Sequence, residues 1–503
     1  MTAADGTVFF LPGLGFDAAA AAPIADALDS LAGGRLRVVG IDLPGHGGSP
    51  DAPNGSVSAL ADRALQVIEA EADGGPFVIA AHSMGGKVAA VAAHRILNGD
   101  ANVFGLAALV LLAPSPPTPE PMADDKRAEM LGWAENGLIS EEHAIEFVAQ
   151  NVATPLSDDD ERAAIAQVRL MSPLAWRRWL TDGSTEDVSE ELGSIDLPVV
   201  VLAGEDDDDL GASAQPGLVA ELYPRARVVA FPETGHLLPY ERPAEVAAEI
   251  VRLWDATVSV SPQLTPEWGR LVASDRTAPE ARGFLARRLI ADDPDYRPRA
   301  LSAAQLATLR LLADRLVPQP EGRRIDLAAR VDDDLASGRG DGWRNAGQPD
   351  DASAYRLGLD DLAALWPDDT DEQNAAAEQD ALIAGLISGE LNDHEALGGD
   401  DWNGEMRQHW IDDVRADLTR IWLAHPASLA RVGYDGFATS GAATGDAGYV
   451  AVAAGQRDPW EPAELGSIAS DDDDEYDDDE QDDGRDSPTP NNTRTVEENP
   501  AWI

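Results

Sequence analysis

Six short apolar runs punctuate the first half of the chain, over residues 8–11, 36–41, 77–81, 109–113, 198–203 and 226–231. Stretches of helical periodicity separate them. Strand-length runs alternating with helices predict an α/β fold, a parallel sheet with helices on both faces. The spacing breaks once, between the fourth and fifth runs. There, residues 114–196 keep helical periodicity, as in Ala144-Ile145-Glu146-Phe147-Val148 and Leu174-Ala175-Trp176-Arg177-Arg178-Trp179-Leu180, with no clear strand. An insertion at that point would sit over the carboxyl ends of the strands as a helical lid. A helix over 243–254 closes this first domain, residues 1–256.

Beyond a linker at 257–264 the pattern changes to helices without a sheet, over residues 265–462. Ser302 and Gln305 read as a capping box, and Leu301 with Leu306 as a hydrophobic staple. Leu309, Leu312 and Leu316 extend one apolar stripe, and Pro318 ends it. Thr370 and Gln373 read as a second box ahead of an apolar stretch at 381–387, and a third helix runs roughly over 404–423. There is no internal repeat. The last segment, 463–503, carries a self-repelling acidic block (Asp471 to Asp474, Glu475, Asp477 to Asp479, Glu480, Asp482, Asp483) and is predicted to be disordered.

Length and charge narrow the function. At 503 residues the chain is too long for one ordinary core, so two or three domains are expected. The formal net charge is −54 at pH 7, and Lys87 and Lys126 are the only lysines. Such a chain repels phosphate backbones and anionic lipid, which argues against nucleic-acid and membrane-surface binding. Dense carboxylates with little lysine fit a salt-rich cytoplasm, and a GC-rich genome would deplete lysine too. With no cysteine, disulfides and thiolate chemistry are excluded. The first residues lack a basic leader, and no apolar run approaches the ~20 residues that cross a bilayer. The expected location is the cytoplasm.

The chemistry-bearing residues begin with Ser83, in Ala81-His82-Ser83-Met84-Gly85-Gly86. A serine between a buried strand and a small-residue helix sits on a sharp turn. Small residues two positions either side let the two backbones approach. Asp207 and His236 follow in that order. A serine hydroxyl is a weak nucleophile, so it needs a base within reach and a third group to orient the base. Asp42-Leu43-Pro44-Gly45-His46-Gly47-Gly48-Ser49 and Gly235-His236-Leu237-Leu238-Pro239 add two further motifs.

Together these motifs resemble the α/β-hydrolase family over residues 7–254. The resemblance implies Ser83 as nucleophile, His236 as base and Asp207, three residues after Gly204, as the acid. Four successive aspartates, Asp206 to Asp209, leave that assignment open by one position. It also implies an oxyanion hole from the backbone N–H groups of Met84 and Leu14. Pro12 stands where the family usually has histidine, and Ala81 where it usually has the first glycine. No cofactor and no metal are implied. Serine at this position excludes relatives that use aspartate there, the haloalkane dehalogenases and epoxide hydrolases. Peroxidase-like and carbon–carbon-cleaving members keep serine. His46 and His82 read as loop-fixing residues, His94 and His143 as surface or packing residues, Trp176 and Trp179 as lid packing, and Lys87 as solvated.

The second half resembles a different family, subunit 3 of gluconate 2-dehydrogenase complexes. The matching residues are Leu301-Ser302-Ala303-Ala304-Gln305, Leu311-Leu312-Ala313-Asp314-Arg315-Leu316-Val317-Pro318, Tyr355-Arg356-Leu357-Gly358-Leu359, His425-Pro426, Gly433-Tyr434-Asp435-Gly436-Phe437 and Gly448-Tyr449. That resemblance implies a helical subunit without its own flavin, accompanying a flavoprotein dehydrogenase subunit. His394, His409 and His425 are far apart in sequence, with no acidic pair at ligand spacing. Trp343, Trp366, Trp402, Trp410 and Trp422 serve either as core or as docking surface.

The expectation is a serine hydrolase acting on a small-molecule carboxylic ester or related acyl substrate, fused to a helical interaction domain. The alternatives are an accessory subunit of a flavin-dependent dehydrogenase, with the hydrolase half acting on its substrate or product, and a hydrolase fold kept as a catalytically idle scaffold.

Overall fold

The computed structural model describes residues 5–463 except 53, 341, 368–371, 393, 395–396, 398–401, 439–450, 452 and 454–455. The second capping box at Thr370, the Gly448-Tyr449 pair and the acidic tail lie outside the described residues.

Six parallel strands, β1 (Gly6–Leu11), β2 (Leu36–Gly40), β3 (Phe77–His82), β4 (Leu106–Leu112), β5 (Val199–Gly204) and β6 (Ala226–Phe231), form one sheet in the order β2-β1-β3-β4-β5-β6. All six sequence runs are strands. The inner strands β3 and β5 are buried at every residue, which is why they read as unbroken apolar runs. The edge strands β2 and β6 are only partly covered. Their exposed arginines are paired: Arg37 with Glu71, and Arg227 with Glu249. From β1 the chain moves outward to β2 and then returns to β3 on the other side. The switch in winding therefore lies between β1 and β3, and it opens a crevice at their carboxyl ends.

Helices α1 (Ala22–Ala32), α2 (Val57–Glu71) and α3 (Met84–Asn98) follow the first three strands. Helix α3 is buried from Met84 through Ala93, on all its faces. Its glycines and alanines allow that. A Cβ on Gly85 would lie 2.5 Å from Leu11 O, and one on Gly86 would lie 2.4 Å from the Pro114 side chain. Gly85→Val is therefore expected to destabilise the fold by about 3 kcal/mol or more, read as a fall in Tm.

The insertion after β4 is a lid of α4 (Asp124–Trp133), α5 (Glu141–Gln150), α6 (Asp158–Leu170) and α7 (Pro173–Arg178), ending in a π-helical turn over Trp179–Gly183. Serines 140, 157 and 172 cap the last three helices through their side chains. Trp176 is the lid's core. Its ring packs edge-on against Phe147 at 5.3 Å, and its indole N–H donates to Met130 O at 2.8 Å.

After a helix over Pro243–Thr257, two more helices, Pro266–Ala273 and Pro279–Leu289, continue the same core: Val272, Leu285 and Ala286 belong to the cluster built on the sheet. Arg282 fixes this junction. It is buried and donates five hydrogen bonds, to the carbonyls of Gly99, Ala101, Val272, Ser274 and Thr277, at 2.8–3.1 Å. Two of these acceptors lie just beyond the last turn of α3, where a cation is favourable. Arg282→Ala leaves buried carbonyls unpaired and is expected to lower stability by about 3 kcal/mol in a denaturant titration.

A separate core begins at Leu301, among helices Ala303–Leu316, Leu327–Ser337, Asp351–Leu365, Glu372–Ser388 and Gly404–Ala424. Ser302 and Gln305 form the capping box in both directions. Trp402 and Trp410 are buried in this core, Trp366 and Trp422 pack against it, and Trp343 is exposed. Among the described residues no helix is long and apolar enough to cross a membrane, and no group of three or more acidic or histidine side chains could hold a metal ion.

Candidate active site

Ser83 is the first residue after β3, with φ 51° and ψ −120°. A side chain is strained in that region, so the surroundings must hold the backbone there. Ser83 N donates to Leu112 O at 2.9 Å, and Ser83 O accepts from Gly86 N at 2.8 Å and Ser115 N at 3.0 Å. Three main-chain bonds thus fix the bend.

His236 Nε2 lies 2.9 Å from Ser83 Oγ, and its Nδ1 lies 2.7 Å from Asp207 Oδ2. The second oxygen of Asp207 accepts from the backbone N–H groups of Asp209 and Leu210, at 3.1 and 3.0 Å. In the run of four aspartates, Asp207 is thus the one that faces the imidazole. Tight packing of main chains sets these loops. A Cβ on Gly204 would lie 2.1 Å from Thr234 O, and one on Gly235 would lie 2.8 Å from Ala153 N. Asn151 O, in the lid, accepts from His236 N at 2.8 Å and from Leu237 N at 3.1 Å, so the lid braces the histidine loop.

The electrostatics follow from burial and these contacts. Burial alone would push the Asp207 carboxyl up, but the charge and hydrogen bond of His236 and the two backbone donors bring it down to about 2. Burial would push His236 down. The carboxylate of Asp207, by charge and hydrogen bond, and the charge of Glu120 outweigh it, leaving the imidazole above its ordinary value. An imidazole held in this way at a serine hydroxyl can accept its proton.

The loop after β1 runs directly against the bend, where a Cβ on Gly13 would lie 3.0 Å from Ser83 Cβ. Leu14 lines the same cleft as Ser83 and His236, and Met84 opens α3. His82, the residue before the serine, is buried; its Nε2 meets His236 O at 2.8 Å, and burial and the charge of His236 lower its pKa to about 3. His46 is buried with Nδ1 3.0 Å from Pro44 O, and burial lowers its pKa to about 4. His143 stacks on Trp133 at 5.3 Å, and Trp179 lines the cleft. In the second half, His425 is buried and accepts from Ala427 N at 3.2 Å, capping the helix Pro426–Val432.

Lys87 overturns one expectation. It is not solvated but fully buried one turn into α3. Its ammonium donates to Thr118 O at 3.1 Å, to Gly183 O at 3.2 Å and to Glu186 O. Those acceptors lie at the entrance and the exit of the lid. Burial lowers its pKa to about 8, against the pull of Glu120, Glu186 and Asp187. Two further residues of the cleft carried no periodic signal: Glu120, inside a proline-rich stretch, and Lys126, whose Nζ lies 2.6 Å from Asp209 Oδ2. The rarity of lysine was the available clue: of the chain's two lysines, Lys126 lines the cleft and Lys87 is buried against the ends of the lid.

Residues 8–249 match the alpha/beta hydrolase family, and residues 303–437 match gluconate 2-dehydrogenase subunit 3. The protein is an α/β-hydrolase domain fused to a gluconate 2-dehydrogenase subunit 3-like domain. Solved structures similar to it include a thermophilic esterase from Thermogutta terrifontis (20% identical over 50% of this chain and 90% of that one, TM-score 0.39). An esterase from Exiguobacterium antarcticum is 16% identical over 50% and 92% (TM-score 0.41), and an enol-lactonase from Burkholderia xenovorans LB400 is 19% identical over 49% and 90% (TM-score 0.40). These are likenesses of fold. No curated protein matches the chain.

Proposed function

We propose that Ser83, His236 and Asp207 act as a nucleophilic triad that cleaves a small-molecule carboxylic ester or related acyl substrate. The supporting observation is the unbroken chain of contacts, 2.9 Å from hydroxyl to imidazole and 2.7 Å from imidazole to carboxylate. Ser83 Oγ attacks the acyl carbon as His236 Nε2 takes its proton. The backbone N–H groups of Leu14 and Met84 receive the oxyanion. His236 then returns the proton to the leaving alcohol, and water reverses the sequence to free the acid. Asp207 holds the imidazole tautomer and stays ionised throughout. Fluorophosphonate labelling tests the reading: an adduct at Ser83 of the folded wild type is expected, and none would leave the domain an idle scaffold.

The base must be neutral to accept the proton. Because His236 is raised, kcat/KM is expected to increase with pH through a limb lying above the ordinary imidazole value of about 6.5, and to fall as His236 is protonated. A pH–rate profile with this limb below that value would count against the assignment.

The match of residues 303–437 supports a second role, docking onto a flavoprotein dehydrogenase subunit that this half accompanies. Co-purification of the full chain with a flavin-containing partner, lost when residues 303–437 are deleted, is the test. The acidic, lysine-poor composition supports a cytoplasmic location, which cell fractionation tests.

A further inference from the structure

Two kinds of surface line the cleft at Ser83, which encloses ≈ 890 Å³ with its open mouth included. Phe16, Phe147 and Trp179 supply aromatic rings, beside apolar side chains such as Met122. Glu120, Asp206, Asp208 and Asp209 supply carboxylates. Lys126 and Asp209 pair at 2.6 Å and together add no net charge, so the unpaired negative charge comes from Glu120, Asp206 and Asp208.

The aspartates follow from composition, since a chain this acidic carries carboxylates wherever water reaches. Glu120 does not follow from it. Its side chain is half-buried in the wall of the cleft, and that burial raises its pKa. Ser115 Oγ donates to Oε2 at 2.9 Å, while Oε1 has no protein donor among the described residues. No cation lies within ion-pair distance of Glu120 among the described residues. Of its cationic neighbours, Lys87 is committed to three carbonyls and Arg127 to Leu180 O and Ser184 Oγ. His236 is committed to Asp207 and Ser83. A half-buried carboxylate with a single hydroxyl partner is left short of favourable contacts. Aromatic rings beside a carboxylate suit one ligand chemistry, a cation, which the ring quadrupoles and the negative charge hold together.

Resting on the hydrolase reading of Ser83, we infer that the cleft selects acyl substrates bearing a positively charged group, an ammonium or guanidinium, which docks between Glu120 and the aromatic residues. Esters of the same size bearing a carboxylate are disfavoured. Glu120 is then the specificity-determining residue. It takes no part in the proton transfers.

The test is the rate of Ser83 labelling in the full chain by two fluorophosphonates of matched size, one ending in trimethylammonium and one in tert-butyl. At pH 7 and low salt the cationic probe is expected to react about tenfold faster, the effect of one partly screened charge contact. That advantage falls as salt is raised. Glu120→Gln brings the ratio to within about twofold of unity, whereas Asp208→Asn at the rim largely keeps it. Equal wild-type rates, or a ratio that Glu120→Gln leaves intact, overturn the selectivity and leave Ser83 a nucleophile. Failure of both probes to label Ser83 overturns the hydrolase reading and the selectivity with it.

Discussion

Replacing Ser83 with alanine is expected to lower kcat/KM for ester hydrolysis by about 10,000-fold or more, because it removes the hydroxyl that meets His236 Nε2 at 2.9 Å. Screening p-nitrophenyl esters, lactones and thioesters against wild type and Ser83→Ala measures it, and retained turnover would move the chemistry elsewhere. Ser83→Gly separates catalysis from stability. At φ 51° and ψ −120° a serine backbone is strained by about 1–3 kcal/mol, which glycine relieves. The glycine variant is therefore expected to be inactive and to melt higher than wild type. An idle scaffold gives no reason to retain that strain. A nucleophile does, because the bend is what presents the hydroxyl to His236.

The architecture was legible because its signals are local. Apolar strand-length runs gave all six strands, and small residues around Ser83 gave the bend; Gly85 and Gly86 have backbone or side-chain atoms where a Cβ would go. Motif order pointed to Ser83, Asp207 and His236, which the fold brings into contact across 153 and 29 residues of sequence separation. What stayed hidden depends on contacts distant in sequence with no periodic mark. Glu120 lies inside a proline-rich segment, where neither helix nor strand spacing applies. The junction was hidden for a similar reason. Arg282 looks like one charge among many on a helix, and only the folded chain brings it to the carbonyls of Gly99 and Ala101. Lys87 misled because a lysine is ordinarily exposed.

Lys87→Met should show what that burial achieves. Methionine keeps the length and loses every N–H donor. It strands the carbonyls of Thr118, Gly183 and Glu186, at about 1 kcal/mol or more each, while sparing the fold a buried charge. A net loss of about 2–3 kcal/mol is expected by calorimetry, with kcat/KM down about 100-fold. The activity loss is the more informative, because the segments Lys87 holds border Glu120 and Trp179 in the cleft. The wild type offers a second test through pH. Its folded pKa is lowered to about 8, from 10.5, so the unfolded chain keeps the proton longer. Between those values the unfolded state binds more protons, and this group adds stability as pH rises. The neutral amine nevertheless has two N–H donors for three carbonyls. Activity should therefore fall above about pH 8 while Lys87 itself causes no drop in Tm. An alkaline limb that persists unchanged in Lys87→Met would assign it to another group, and with it would go the case that this lysine clamps the lid.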